Sequence, residues 1–315
     1  MVSSVLISVQ FHNHTPCILF NSYPAAINPT VLSLLNMIRM VSGCFVISLF
    51  SSCCYRQGIY LSPQNANSNP YHSIPMKFDS LRSAIYVNAV FSNGSANDQA
   101  ADQVTAFQGS VHRSSNFSIF QAYYGANLTL GSYNVSDYQN SSDFYGGYGG
   151  SLINDSLNYI HHSSYFFGSY GISGGINIVT THQHIRKYRH SEWRILGLET
   201  SLQKEFGKYS DFRDQLPDTA ANIIFRKHFS AYLGLYTEWL WTNKHKTELG
   251  FKMAVGTDLS PGSNYSHYLA PSILPLHCFS ITYHVKKGHI TGYIQTNFGS
   301  YADNIQFGLS YRLGK

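Results

Sequence analysis

Residues 82–315 contain about ten segments in which apolar and polar residues alternate, and each segment is about 9–15 residues long. The last segment shows the pattern without a break. From Ile305 to Leu313 every odd-numbered residue is apolar or aromatic, and every even-numbered residue is polar or glycine. A period of two places alternate side chains on opposite faces of a β-strand. Each segment is therefore predicted to be a strand whose two faces meet different media.

The length of the segments indicates that the apolar medium is lipid. Strands of soluble proteins usually have about five or six residues, whereas a tilted strand needs about 9–11 residues to cross a bilayer. Charged residues form 12% of the chain, compared with ~25% in ordinary soluble domains. Tyr, Phe and Gly are abundant instead, at 24, 20 and 25 residues. This composition is typical of a transmembrane β-barrel, in which only every second residue of a strand contacts lipid.

The even-numbered connections between the predicted strands are short, and all odd-numbered connections except the last, residues 300–304, are long. Residues 94–103, 132–163 and 257–276 form long connections, whereas residues 242–246 and 286–289 form short ones. Membrane barrels join their strands by short turns on the periplasmic side and by longer loops outside. We therefore predict an all-β fold, a transmembrane antiparallel up-and-down β-barrel of about 10 strands (8–12) over residues 82–315.

The end of the chain resembles the C-terminal assembly signal of bacterial outer-membrane β-barrel proteins. Gln306 and Gly308 occupy the positions of its polar residue and glycine, and Tyr311 and Leu313 those of its aromatic and apolar residues. The resemblance implies a location in the outer membrane of a Gram-negative bacterium. It also implies two partners, the lipid of that membrane and the barrel-assembly machinery.

Residues 37–53 have the layout of an export signal. Arg39 precedes an apolar stretch at residues 41–50, and small residues come directly before Cys53. The ending FSSC is similar to the end of a bacterial lipoprotein signal, and this similarity implies a lipid on Cys53. Ordinary signal cleavage without a lipid is the alternative.

The rest of the N-terminal region shows no strand period. We interpret residues 1–36, which contain no Lys, Arg, Asp or Glu, as an upstream extension that results from a start codon placed too early. Residues 54–81 are rich in Pro, Asn and Ser. This composition predicts a flexible tether between an anchored N-terminus and the barrel.

The polar faces of the predicted strands would line the lumen of the barrel. About ten strands enclose only a narrow interior, and opposite charges inside it are expected to form pairs. We therefore expect a lumen that is filled by side chains, and a narrow solute channel is the alternative. The polar residues that we expect to face the lumen are Glu199, Glu205, Glu238, Glu248, Lys252, His284 and Arg312.

The sequence offers no strong candidate for catalysis. His190, Ser191 and Glu192 are residue types of a hydrolase relay, but neighbours on a strand point to opposite faces. His182 and His184 share a strand face without a nearby Cys or carboxylate to complete a metal site. We predict that the protein is not an enzyme and has no cofactor and no metal.

The predicted function is a structural or surface-binding role for a lipid-anchored barrel. The connection 132–163 is rich in Tyr, Gly, Asn and Ser, which suits adaptable contacts with an unknown extracellular ligand. The net charge of +5 includes no dense basic patch, so we expect no nucleic-acid partner. A soluble periplasmic β-sandwich lipoprotein remains the alternative architecture.

Overall fold

A computed structural model describes 13 stretches of the 315-residue chain: residues 11–12, 15–16, 59–64, 68–79, 81–96, 102–136, 163–184, 189–217, 223–243, 246–259, 264–265, 277–299 and 302–314. The chain divides into two compact units, Met1–Tyr55 and Arg56–Lys315. In the first unit, β1 (Phe11–His12) pairs with β2 (Thr15–Pro16) in an antiparallel arrangement. The predicted export signal and Cys53 lie outside the described residues.

The second unit contains a closed barrel of ten antiparallel strands, which confirms the predicted fold class. Each strand pairs with the next barrel strand along the chain, and the last pairs with the first. The strands are β4 (Ser83–Ala96), β5 (Asp102–Asn116), β6 (Phe120–Val135), β7 (Ser163–His184), β8 (Arg189–Phe206), β10 (Phe229–Thr242), β11 (Thr247–Asp258), β13 (His277–Lys287), β14 (Ile290–Gly299) and β15 (Ala302–Leu313).

The outside of the barrel is apolar, because the alternating residues of every strand fall on one surface. Cross-strand partners form a row of outward side chains around the barrel: Trp239, Phe251, Tyr283, Ile294, Phe307 and Phe91. Phe307 and Leu309 are 53% and 54% exposed. A single sheet that closes on itself leaves this apolar face uncovered, so the alternative of a β-sandwich is wrong.

The two ends of the barrel differ in their connections. One end, the long-loop end, carries residues 97–101, 136–162, 207–228, 259–276 and 300–301. The opposite end, the short-turn end, carries residues 117–119, 185–188, 243–246 and 288–289. Because the number of strands is even, β4 begins and β15 finishes at the short-turn end. The predicted alternation holds for the connections 136–162, 207–228 and 259–276, whereas 97–101 and 300–301 are short because β4, β5 and β15 extend into the connections expected from the sequence.

Among its described residues, the second unit also contains three short strands and one helix. Helix α1 (Lys208–Gln215) follows β8 within the long connection 207–228. In the same connection β9 (Ile223–Ile224) pairs with β3 (Ile59–Tyr60) in parallel and with β12 (Asn264–Tyr265) in antiparallel orientation. Within the described part of the chain, no helix is both long and apolar enough to cross a bilayer.

The chain that precedes β4 lies inside the barrel. Tyr71, Ile74 and Met76 are 2%, 2% and 3% exposed, and most of residues 68–79, the lumen segment, are buried. The prediction of a flexible tether is therefore wrong for the described residues between 59 and 79. Their lack of a strand period reflects an irregular path through a polar interior, in which the wall of the barrel supplies hydrogen-bond partners.

The apolar outer surface predicts a dependence of stability on depth in the membrane. Phe91, near the middle of β4, and Ile85, near the short-turn end, face outward and are each 43% exposed. We expect Phe91→Arg to reduce the free energy of unfolding by about 2–4 kcal/mol and Ile85→Arg by about 0–1 kcal/mol. Urea-induced unfolding in phospholipid vesicles measures both values, and equal losses would contradict a lipid-facing middle.

Candidate functional site

A β-bulge in β8 turns the side chain of Arg194 into the lumen. Ile178 pairs with Leu196, but the next residue of β7, Val179, pairs with Arg194, so that Ile195 is left without a partner. Ile195 and Leu196 consequently both face outward, with exposures of 42% and 51%. Even-numbered residues of β8 therefore face inward before the bulge, whereas odd-numbered residues face inward after it. Arg194, on the N-terminal side of the bulge, points into the lumen and is completely buried.

Arg194 lies at the centre of a network that joins three strands to the lumen segment. Its Nη1 donates to Glu238 Oε2 at 2.5 Å, and its Nε donates to Gln121 Oε1 at 2.8 Å and to Glu192 Oε1 at 3.3 Å. Its Nη2 donates to the carbonyl oxygen of Ile74 at 2.9 Å. Arg194 therefore neutralises two buried carboxylates and also holds the backbone of the lumen segment.

Glu238 receives donors from both the wall and the lumen segment. The hydroxyl of Tyr71 donates to Glu238 Oε1 at 2.9 Å, and Nε2 of His284 lies 2.9 Å from the same oxygen. The rings of Tyr71 and His284 stack with their centroids 4.3 Å apart. With Arg194 on its other oxygen, this carboxylate is satisfied in a site that excludes bulk water.

The backbone of the lumen segment bonds to polar side chains of the wall. The amide of Lys77 donates to Glu192 Oε2 at 2.6 Å, and Gln121 Nε2 donates to the carbonyl of Pro75 at 3.1 Å. His112 Nε2 lies 3.0 Å from the carbonyl oxygen of Ser73. An irregular segment can be buried only if such partners satisfy its peptide groups, which fixes its path.

Near the start of the lumen segment, amide side chains provide equivalent contacts. Gln295 Nε2 donates to Ser68 Oγ at 2.8 Å and to the carbonyl of Asn69 at 3.1 Å, and Ser68 Oγ donates to Asn297 Oδ1 at 2.5 Å. Further along, the ring of His72 stacks on Tyr123 with centroids 4.6 Å apart. Polar contacts thus fix residues 68–69, and an aromatic contact fixes His72.

Further ion pairs line the wall. Lys252 Nζ lies 2.6 Å from Glu199 Oε2 and 4.4 Å from the centroid of the Tyr236 ring. At the short-turn end, Lys286 Nζ lies 2.9 Å from Glu248 Oε2 and 3.3 Å from Asp79 Oδ2 of the lumen segment. The wall therefore pairs its buried charges rather than exposing an unbalanced row of one sign.

At the long-loop end, helix α1 packs against β7 and β8 and contacts Tyr60 and Leu61 through aromatic side chains. The Arg213 Nη2 atom lies 2.6 Å from Glu205 Oε2, and the Arg213 guanidinium carbon lies 4.9 Å from the centroid of the Tyr209 ring. The Tyr209 hydroxyl donates to the carbonyl of Leu61 at 3.1 Å. Burial raises the pKa of Tyr209 well above its ordinary value, so the hydroxyl keeps the proton that this bond requires.

The structure places the seven polar residues named from the sequence as follows. Six are buried in the lumen, five of them in ion pairs and His284 within hydrogen-bond distance of Glu238: Glu199, Glu205, Glu238, Glu248, Lys252 and His284. Arg312 is half-buried, and its Nη2 lies 3.4 Å from His289 Nε2 near the short-turn end. The sequence reasoning missed Arg194 as a lumen residue, and the adjacent apolar pair Ile195–Leu196 was the available signal of the bulge.

The residues that resemble an assembly signal lie on both faces of β15. Gln306 is buried, whereas Tyr311 and Leu313 are 49% and 47% exposed on the outside. Gly308 lies directly against the ring of Tyr293, which leaves no room for a Cβ atom. Glycine therefore has a packing role here, and recognition by an assembly machinery stays a prediction.

The structure does not assemble the hydrolase relay considered from the sequence. Glu192 faces inward and contacts Arg194 and Gln121, not a serine or histidine. The side chains of His182 and His184 lie outside the described part of the structure. Among the described residues, no group of three or more His, Cys, Asp and Glu side chains has the geometry to hold a metal ion.

Comparisons with known proteins give similar solved structures but no related sequences. No family model matches the chain, and no curated protein matches it. The beta domain of the Bordetella autotransporter BrkA is 10% identical, with a TM-score of 0.36, and the match covers 74% of this chain and 100% of that one. The translocator domain of the autotransporter NalP from Neisseria meningitidis is 10% identical, with a TM-score of 0.34 and coverages of 75% and 90%.

A third similar structure is the KdgM porin, at 9% identity and a TM-score of 0.26, with coverages of 73% of this chain and 99% of that one. Identities and TM-scores this low carry no argument about function. The barrel fold of this protein is established by its own strand pairing.

Removal of the Arg194 side chain is predicted to destabilise the barrel strongly, and neutralisation of its two carboxylate partners is predicted to restore most of the stability. Arg194→Met leaves the carboxylates of Glu192 and Glu238 without their cation, so we expect a loss of about 3–5 kcal/mol in the free energy of unfolding. The triple variant Arg194→Met/Glu192→Gln/Glu238→Gln is expected to regain most of this loss, because no buried charge remains unpaired.

Urea-induced unfolding in vesicles measures these differences, and Arg113→Met is a matched control. Arg113 lies on β5, is exposed and donates to Ser83 Oγ at 3.0 Å. Its replacement is expected to change stability by at most about 0.5 kcal/mol. A single Arg194→Met variant as stable as the Arg113→Met variant would contradict the central role of Arg194.

Proposed function

We propose that this protein is an outer-membrane β-barrel whose lumen is closed by its own chain and whose role is structural or surface-binding. The observation that carries the proposal is the position of residues 68–79, which occupy the lumen and bond to its wall. A solute would have to displace this segment to pass. The narrow channel is therefore the less favoured alternative.

The apolar outer surface supports a location in the lipid of the outer membrane. In a closed barrel every strand pairs with two neighbours, so the backbone N–H and C=O groups are all hydrogen-bonded within the protein. This pairing is necessary in a bilayer because hydrocarbon offers no partner for a free peptide group. The short turns would then face the periplasm and the long connections the outside. Export, assembly through the C-terminal strand and a lipid on Cys53 belong to the same proposal.

The long-loop end is the proposed binding surface. It carries the three longest connections, residues 136–162, 207–228 and 259–276, and helix α1 belongs to the second of them. Long external loops on a rigid barrel suit contacts with an extracellular ligand. We propose no catalytic role, because Glu192, Glu199 and Glu238 are engaged in buried ion pairs.

Single-channel recording in planar bilayers tests whether the lumen is closed. We expect the wild-type protein to give no stable open conductance, whereas deletion of residues 59–79 is expected to give one, because it removes the lumen segment. The matched control is an equally long deletion within the long connection, residues 139–159, which leaves the segment in place and is expected to remain silent.

Heat-modifiable mobility in gels verifies that all three proteins form barrels. Open conductance of the wild-type protein at the level of the 59–79 deletion would contradict a closed lumen. Silence of the 59–79 deletion would show that wall side chains alone close the barrel, and that the lumen segment is not the element that seals it.

A further inference from the structure

The lumen segment ends among the short turns. The Phe78 ring stacks on His190, next to the turn 185–188, with centroids 4.3 Å apart. The Lys77 Nζ atom donates to the carbonyl oxygen of Ser118 in the turn 117–119, at 2.5 Å. Asp79 pairs with Lys286, beside the turn 288–289. Residues 77–79 therefore lie at the short-turn end, where β4 begins at Ser83.

The chain immediately before the lumen segment lies at the opposite end. Strand β3 pairs with β9 of the long connection 207–228. The Tyr60 ring meets Phe212 of helix α1 edge-on, with centroids 5.8 Å apart, and Leu61 accepts the hydrogen bond of Tyr209. Tyr60 also belongs to an apolar cluster with Ala96, Tyr133, Val135, Phe167, Tyr209, Leu216 and Ile224. Residues 59–61 therefore lie at the long-loop end.

These two positions fix the direction of the chain. It enters at the long-loop end near Ile59, passes through the lumen, and reaches the short-turn end near Asp79, where the first barrel strand starts. A chain that simply preceded β4 would approach from the short-turn side, because β4 begins there. The observed chain instead reaches β4 from the long-loop end, through the lumen.

We propose that the barrel holds the chain that precedes Ile59 on the cell surface. This inference rests on the proposed location in the outer membrane, which makes the long-loop end the outer end. The contacts of Arg194, Glu192 and Gln121 with residues 74–77 hold the threaded segment from inside. A lipid attached to the chain shortly before Ile59 would then enter the outer leaflet of the membrane rather than the inner one.

The function that follows is display. The polar contacts in the lumen hold this chain at the long-loop end without a spanning helix, and a lipid on Cys53 would attach it to the outer leaflet as well. The occupied lumen also prevents the displayed chain from returning through the same barrel.

Epitope accessibility on intact cells tests this path. One full-length variant carries an epitope directly before Arg56, a second carries it within the long connection between Tyr148 and Gly149, and a third carries it in place of Gly288 and His289 of a short turn. We expect antibody to label the first two on intact cells, and the third only after the outer membrane is permeabilised. Heat-modifiable mobility verifies that each variant is folded.

Trypsin gives a second measurement on the same cells. Arg56 is followed by no Lys or Arg before Lys77, so cleavage after Arg56 separates an epitope placed directly before it from the barrel and leaves the lumen segment intact. Trypsin added to intact cells is expected to abolish the epitope signal at the size of the barrel protein in an immunoblot, whether or not the released peptide carries a lipid. The matched variant Arg56→Gln is expected to keep this signal, since the next cleavage site along the chain, Lys77, lies at the short-turn end, which the intact outer membrane shields from trypsin.

The proposal is overturned if the epitope before Arg56 is protected on intact cells while the epitope between Tyr148 and Gly149 is labelled, because the chain would then leave on the periplasmic side. It is also overturned if only the epitope at residues 288–289 is labelled, because the barrel would have the opposite orientation. These outcomes are distinct from failure of the closed lumen, which the conductance of the wild-type protein reveals.

Discussion

The architecture depends on the requirement that every backbone N–H and C=O group in contact with hydrocarbon be paired within the protein. Closure of the sheet between β15 and β4 meets this requirement, since it leaves no edge strand. The same closure decides the interior. Ten strands enclose a narrow space, and the lumen segment occupies it, so the polar side chains that turn inward bond to one another and to the backbone of this segment.

The lumen segment and the buried charges satisfy each other. Arg194 brings two carboxylates to one point, and the peptide groups of residues 74–77 complete the bonding of that cluster. Paired buried charges add little net stability, but an unpaired one is costly. The network therefore acts mainly by specifying one path for a segment that has no regular structure of its own. Around Arg194 the interior of the barrel is packed with polar side chains rather than with apolar ones.

The lumen segment and the residues just before it connect the two ends of the barrel. Residues 59–61 join the small sheet and helix α1 at the long-loop end, while residues 77–79 join the short turns. One stretch of chain thus closes the barrel and determines the side on which the preceding residues emerge. Closure of the lumen and display of the N-terminal chain are, in this arrangement, two consequences of the same contacts.

The sequence by itself determined the strand count and the apolar face, because a period of two is visible wherever a strand has one face in lipid. It already placed Glu238 and Lys252 opposite that face, since the alternation in β10 and β11 is unbroken. The position of Arg194 depended on the bulge at Ile195–Leu196, which reverses the alternation within a single strand. The threading of residues 59–79 was decided only by tertiary structure, because an irregular segment takes its conformation from the partners that surround it and carries no period that records them.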